Sequence, residues 1–306
     1  MLIRMRALRE GRAVDMHGLG FALATYFIWG LLPLYLALLK PASALEILAQ
    51  RILWSLVFLL AWLVLSGHLR ALMRRLDLRL VGLYALAAVL ISINWGVYIL
   101  AVTTNRTVEA SLGYFILPIV NVIIGRIALG ERLSPVQAAG VLTAAAGVTY
   151  LCLGAQSVPW IAFALALSFG FYGLIKKTAP LPAAEGLFLE TAILALPAAV
   201  LLWTMGMRGQ LAMLHGPATL DLLLAGSGVV TVVPLITFAL AAKRVPLSTI
   251  GMLQYLAPTL QFLIGVFVFG ELLTEAKLAG FAIIWCGLIV YLYGLARRTH
   301  PAALPG

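Results

Sequence analysis

The chain has 306 residues, of which 63% are hydrophobic and 10% charged, with a formal net charge of +10. A mean hydropathy of +1.06 excludes an ordinary soluble domain, and apolar runs that are continuous rather than alternating exclude a transmembrane β-barrel. The positive surplus would suit nucleic acid, but placing each Lys and Arg along the chain assigns it to membrane topology, so no nucleic-acid partner is expected.

Crossing about 30 Å of hydrocarbon takes about 20 apolar residues as a helix. Ten such stretches follow one another: 18–39, 43–65, 80–102, 108–129, 135–153, 158–175, 186–205, 220–242, 246–269 and 278–295. Basic residues precede the first, as in a signal peptide. Its apolar run of about 22 residues is too long for an ordinary signal core, so it is read as a retained span.

Span one carries Tyr26, Trp29 and Pro33 on one helical face. Span two carries Arg51 about two turns from its outer end, with Glu46 nearer that end. An unpaired charge at such a depth costs about 3 kcal/mol. Arg51 therefore snorkels to the interface or pairs with an acid. Glu109, at the outer end of span four, is the expected partner in an ion pair that gates one access state, and Glu46 is the second candidate. Span three places Asn94 and Tyr98 on one face beside Trp95.

Span four carries Ser111, Tyr114, Pro118, Asn121 and Gly125 at steps of three or four. Pro118 removes a backbone donor and disturbs the carbonyl of Tyr114. Arg126 stands near the cytoplasmic end, where it can snorkel. Gly130-Glu131 closes the span as a turn in which the acid could pair with Arg132. Cys152 in span five and Cys286 in span ten are read as packed thiols. Ser168, Tyr172 and Lys176 share a face on span six, and Thr231, Pro234 and Phe238 share one on span eight. Glu190 lies in the inner half of span seven. Span nine carries Gly251, Gln254, Pro258, Gln261 and Gly265 in steps like those of span four, with Tyr255 beside Gln254. Pro258 threatens the Gln254 carbonyl as Pro118 does that of Tyr114.

That likeness is part of a repeat at a constant offset of 140 residues. Pro118 matches Pro258, Gly130-Glu131 matches Gly270-Glu271, Ala139-Gly140 matches Ala279-Gly280, and Gly147 matches Gly287. The same offset relates Ala22, Ala24 and Gly30 to Ala162, Ala164 and Gly170. Each copy holds five spans, an odd number, so the second must enter the membrane from the opposite side. The expected fold is an all-α membrane protein of ten transmembrane helices in two inverted five-helix repeats. Residues 17–153 form the first repeat and 158–295 the second, between tails at 1–16 and 296–306. With both tails cytoplasmic, inner loops and tails hold fifteen Lys and Arg against four outside, which fixes that orientation.

Inverted repeats with paired prolines and intramembrane polar residues point to a transporter with its site near the midplane between the halves. The pathway residues expected are Tyr26, Trp29, Asn94, Trp95, Tyr98, Ser111, Tyr114, Asn121, Tyr172, Gln254, Tyr255 and Gln261. Pro118 and Pro258 are the kinks, and Arg51, Glu109 and Glu190 the charge pair or gate. The competing reading of the proline faces is close helix packing without a pathway. An intramembrane enzyme would need His, Asp or Cys clustered at depth. Here His17, His68, His215, His300, Asp15, Asp77 and Asp221 all lie at or beyond span ends. A channel or sensor is the third reading. No Gly-rich loop ending in Lys-Ser/Thr provides for ATP, and neither cofactor nor metal is expected. The expected partners are a small-molecule substrate and the lipid bilayer, and a homodimer is compatible with the sequence without being demanded by it.

Several stretches resemble the RarD subgroup of EamA-type permeases in the drug/metabolite transporter superfamily. They include Tyr26-Phe27-Ile28-Trp29-Gly30, Gln50-Arg51-Ile52-Leu53-Trp54-Ser55 and Glu109-Ala110-Ser111-Leu112-Gly113-Tyr114-Phe115-Ile116, with Leu129-Gly130-Glu131-Arg132. The second half adds Ser168-Phe169, Phe171-Tyr172-Gly173-Leu174, Glu190-Thr191, Gln254-Tyr255 and Pro258-Thr259. The resemblance implies ten helices in two inverted repeats, alternating access and a bacterial inner-membrane location. It also implies a role in moving drugs or small metabolites and the group label "chloramphenicol-sensitive protein"; the favoured reading of the chain as a whole is a secondary transporter acting as an exporter. The group carries His before the span-two arginine. Gln50 stands here instead, which removes a titratable group and weakens any role for this site in proton coupling.

Overall fold

The structure is a computed structural model that describes residues 15–103, 107–153, 160–268 and 275–299. Within these, the side chains at 99, 102, 103, 107–112, 265, 277, 298 and 299 lie outside the description. Glu109, Ser111 and Gly265 are among them, and Gly270-Glu271 falls outside the described residues altogether.

The described residues are helical almost throughout. In chain order the helices are α1 (Met16–Leu38), α2 (Ala44–Leu65), α3 (His68–Arg75), α4 (Leu78–Thr103), α5 (Thr107–Leu129) and α6 (Pro135–Cys152). They continue with α7 (Trp160–Thr178), α8 (Ala183–Met207), α9 (Ala218–Arg244), α10 (Leu247–Leu253), α11 (Leu256–Phe267) and α12 (Glu275–Thr299). Among the described residues nine helical stretches are long and apolar enough to cross a membrane. At the fourth expected span, α5 contributes a shorter apolar stretch, Gly113–Leu129.

Local chemistry sets the helix starts. Asp15 accepts from the amides of His17 and Gly18 at 2.9 and 3.2 Å at the head of α1. Ser134 and Gln137 form a reciprocal capping box, with Pro135 in the first turn of α6. The loop expected at 66–79 contains α3, which starts after Gly67 at φ +71° and is pinned by the fully buried Leu72.

The ninth span departs from expectation, because it is two helices rather than one kinked helix. Pro258 has no N–H for the Gln254 carbonyl, which accepts instead from Ala257 at 3.1 Å, and the chain turns at Gln254-Tyr255 between α10 and α11. Pro118, by contrast, sits inside the continuous α5.

The largest core cluster joins α1 through α5 and α7 through α11, with Tyr26, Tyr84, Tyr172 and Phe238 as its big buried side chains. A second cluster joins α5, α6, α10 and α12 around Phe115, Tyr255, Phe281 and Tyr291. Glycines let α6 and α12 meet backbone to backbone. A Cβ on Gly140 would stand 2.7 Å from the Gly287 carbonyl, one on Gly287 2.7 Å from the Gly140 carbonyl, and one on Gly147 3.0 Å from the Gly280 carbonyl.

Candidate substrate pathway

The two proline-bearing segments meet each other. On α5, Asn121 donates from Nδ2 to Gln254 Oε1 at 3.1 Å, with both residues buried. The contact is close because Gly251 lacks a side chain: a Cβ there would lie 2.7 Å from the Pro118 carbonyl oxygen. Tyr255, almost fully buried, donates to the Phe115 carbonyl at 3.2 Å and so ties the turn to α5. Among the described residues, Asn121 Oδ1 and Tyr26 Oη are buried without a hydrogen-bond partner. Gln261 is exposed and donates to the Trp29 carbonyl at 3.1 Å.

Aromatic rings continue from this contact. Trp29 lies 5.9 Å from Tyr26, 5.6 Å from Phe169 and 5.9 Å from Phe238, and Tyr172 stacks on Phe238 at 6.2 Å. Phe169 had no place among the expected pathway residues, although it is the neighbour of Ser168 on α7. Asn94 is buried and bonds the Leu165 carbonyl at 2.9 Å and Ser168 Oγ at 3.2 Å, joining α4 to α7.

The charged residues fall into separate groups. Arg51 Nε donates to Thr231 Oγ1 at 2.8 Å, and its guanidinium carbon lies 5.7 Å from the centre of the Trp95 ring. Tyr35, Tyr98 and Tyr114 stand within electrostatic range of it. Tyr98 and Tyr114 meet edge to face at 6.1 Å. Arg51, Tyr35, Trp95, Tyr98 and Tyr114 are all half-buried. Among the described residues no carboxylate stands within 4.0 Å of this guanidinium. A neutral hydrogen bond returns about 1 kcal/mol, well short of the roughly 3 kcal/mol that a charge costs at membrane depth.

Glu46 is not the partner of Arg51. Its carboxylate is fully buried and accepts the amides of Ala212 at 2.9 Å and Met213 at 2.9 Å, where it orders the turn before α9. The expected Glu109 partner lies outside the described side chains. Glu190 has partners of its own: Lys176 Nζ at 2.7 Å and Tyr172 Oη at 2.9 Å. Lys176, expected as a loop charge, is instead a buried residue of α7, and the aromatic rings of Tyr172 and Tyr84 flank it at 5.4 and 6.0 Å. The signal for this was present, since Lys176 shares a helical face with Tyr172 and Ser168.

Glu131 does not cap its own turn through Arg132. Gly130, at φ +66°, swings the chain so that Glu131 reaches α10 and accepts from Leu247 N at 2.6 Å, Ser248 N at 3.0 Å and Ser248 Oγ at 2.7 Å. Those amides are the unsatisfied donors of a helix N-terminus, which has no side-chain cap of its own. Arg126 is exposed and donates to the Glu131 carbonyl at 3.3 Å.

Residues 16–153 match the EamA-like transporter family. Protein RarD of Streptomyces exfoliatus is 45% identical over 299 residues, covering 97% of this chain and 93% of that protein. The chain belongs to the RarD group of EamA-like transporters. An uncharacterized transporter of Pseudomonas aeruginosa is 43% identical over 296 residues, 94% of this chain and 97% of its own. One crystal structure of a protein aligns with a TM-score of 0.69 over 90% of this chain and 98% of that one at 20% identity, which shows a shared fold. This RarD-group protein is thus a multi-pass membrane transporter rather than an enzyme, with the bilayer as its solvent and small molecules as its substrates.

Proposed function

We propose that this RarD-group transporter is a secondary-type permease that exports small organic metabolites or drugs by alternating access between two inverted five-helix halves. One observation carries the reading: inter-helix contacts recur when residues 140 apart are exchanged. Gly140 facing Gly287 becomes Gly280 facing Gly147, and both contacts exist. Gly30 packs against Leu260, and its exchanged pair, Gly170 against Val120, packs likewise. Asn94 bonds the Leu165 carbonyl at 2.9 Å, and the exchanged pair is Thr25 bonding the Pro234 carbonyl at 3.4 Å. Contacts that survive such an exchange are what a two-fold axis between halves produces, and inverted halves are the architecture on which rocking around a midplane site is built.

The same reading puts the protein in the bacterial inner membrane with both termini cytoplasmic. Withdrawing the buried Lys176 from the fifteen inner basic residues leaves fourteen against four, still a strong inward bias. The test is flux from liposomes containing the purified protein and loaded with a bacterial small-metabolite extract. Saturable efflux stimulated by solute on the far side is expected for at least one solute. Efflux linear in concentration points to a channel, and no efflux refutes transport by this chain alone.

A further inference from the structure

We infer that Arg51 holds the negatively charged group of the substrate, so that this transporter carries organic monoanions with an aromatic or planar apolar body. The inference rests on the transport reading above and names its substrate class. Several other charges in the described membrane region meet a close complement, whereas Glu185, at the start of α8, has the exposed Arg75 at 3.8 Å. Lys176 pairs with Glu190 at 2.7 Å, and Lys177 donates to the Ala242 and Val245 carbonyls at 3.0 and 2.6 Å. Glu46 accepts two amides and Glu131 caps α10. Among the described residues, the hydrogen-bond partner of Arg51 is the Thr231 hydroxyl alone, on Nε.

A guanidinium carries five N–H donors in a planar fork, and a carboxylate or phosphate oxygen pair matches the edge that Nε and Thr231 leave over. The surroundings fit the rest of such a molecule. The Trp95 ring lies 5.7 Å from the guanidinium carbon, Tyr98 and Tyr114 pack edge to face within electrostatic range of it, and all three are half-buried rather than packed away. Arg51 is the eighth residue of α2, about 10 Å along the helix axis at about 1.5 Å per residue, deep enough for solvent screening to be weak. A single cation favours a monoanion, and the rings favour one that presents a flat apolar surface. The equivalent position in the other half is Thr191, whose hydroxyl is satisfied by the Leu187 and Phe188 carbonyls of its own helix at 3.0 Å each. The two-fold exchange therefore supplies no second cation at the equivalent position.

The experiment uses the liposomes described above, loaded with the bacterial metabolite extract, and sorts every exported solute by its charge at pH 7. Wild-type protein is expected to release acids and to leave neutral and cationic solutes behind. Arg51→Gln at matched protein content is expected to slow that release by about ten- to hundredfold, the loss of one charge-assisted hydrogen bond. Arg51→Lys, which keeps the charge without the fork, retains part of it. Export of neutral or cationic solutes in preference to acids overturns the inference and leaves transport standing. Undiminished acid export by Arg51→Gln overturns it too. Absence of any export overturns the transport reading instead. The charge class of the wild-type cargo decides the matter even where the variants fail to fold.

Discussion

Replacing Glu190 with Gln takes the carboxylate out of a pair whose charged atoms are 2.7 Å apart and whose side chains are 3% and 2% exposed. A buried ion pair that loses one partner typically costs about 3–5 kcal/mol, because the other charge stays behind without compensation. Lys176 would keep the Tyr172 and Tyr84 rings at 5.4 and 6.0 Å, a cation–π return of about 0.5–2 kcal/mol. The net loss expected for Glu190→Gln is therefore about 1–4.5 kcal/mol. Lys176→Met leaves the carboxylate with Tyr172 as its described hydrogen-bond donor at 2.9 Å and should cost a similar amount. Removing both charges together, as Lys176→Met with Glu190→Leu, should cost less than the sum of the single losses, because no orphaned charge remains. Thermal unfolding of the detergent-purified proteins measures this. At roughly 2 °C per kcal/mol for a chain of this size, each single variant should melt about 2–9 °C below wild type. The double variant should recover part of that loss, with a coupling of about 2 kcal/mol or more. Ordinary interhelical polar contacts in membranes couple by only about 0.6 kcal/mol. A coupling of that size, or simple additivity, would refute the description of Lys176 and Glu190 as a dry, mutually compensating pair.

Other perturbations test the scaffold and the pathway. Glu131→Ala should cost about 1–2 kcal/mol in the same melting assay, the usual worth of an N-cap, with Ser248→Ala costing less; an unchanged melting temperature would remove the cap from α10. Gly140→Leu should lower stability sharply, because its Cβ would lie 2.6 Å from the Tyr291 amide. Gly20→Ala, with nothing within 4 Å of the added carbon, should melt as wild type does. Asn121→Ala and Gln254→Ala each remove one side of the contact between the proline-bearing segments. Both should impair flux from loaded liposomes while shifting the melting temperature little, given the modest worth of such a bond. Wild-type flux in both variants, and in Tyr114→Ala and Gln261→Ala, would leave the packing interpretation of these faces standing.

Features carried by period or local stereochemistry were legible in the sequence. Continuous apolar runs mark the helices, and Pro258 marks the trouble at Gln254, although whether a proline kinks or splits a helix depends on its neighbours. Pro118 stays within an unbroken α5, whereas the segment before Pro258 turns because Tyr255 is drawn onto the Phe115 carbonyl. The acids were harder. Glu46 finds its amides 166 and 167 residues away, and Glu131 finds Leu247 across 116 residues. No spacing rule reaches that far, so nearby bases looked like the natural partners. Lys176 was misplaced for a different reason. A lysine at the end of an apolar run reads as a loop charge by hydropathy, and only the acid on α8 makes its burial affordable. The short α3 carries no membrane signal because it has eight residues, half of them basic or histidine; its one buried residue, Leu72, holds it down.

The contacts that survive exchange of the halves are mostly those of glycine, backbone carbonyl and small hydroxyl, which set how close helices come. The contacts that do not survive carry the polarity. Arg51 and Glu190 are each the eighth residue of their helix, α2 and α8, and these helices are equivalents in the proposed repeat. Their exact counterparts are neutral: Thr191 answers Arg51, and Gln50 answers Glu190. With the halves inverted, the two charges approach the midplane from opposite sides. In this structure the Glu190 group is closed on Lys176 and fully buried, while the Arg51 group is half-buried among aromatic rings. Alternating access would have to reverse that difference, wetting the Lys176–Glu190 pair as the ring-lined site around Arg51 closes. In the proposed cycle, the energy that holds the first group shut would set how readily the second gives up what it holds. On the proposed mechanism, a near-symmetric scaffold would keep the two arrangements close in stability, and the unmatched charges would decide which of them is occupied.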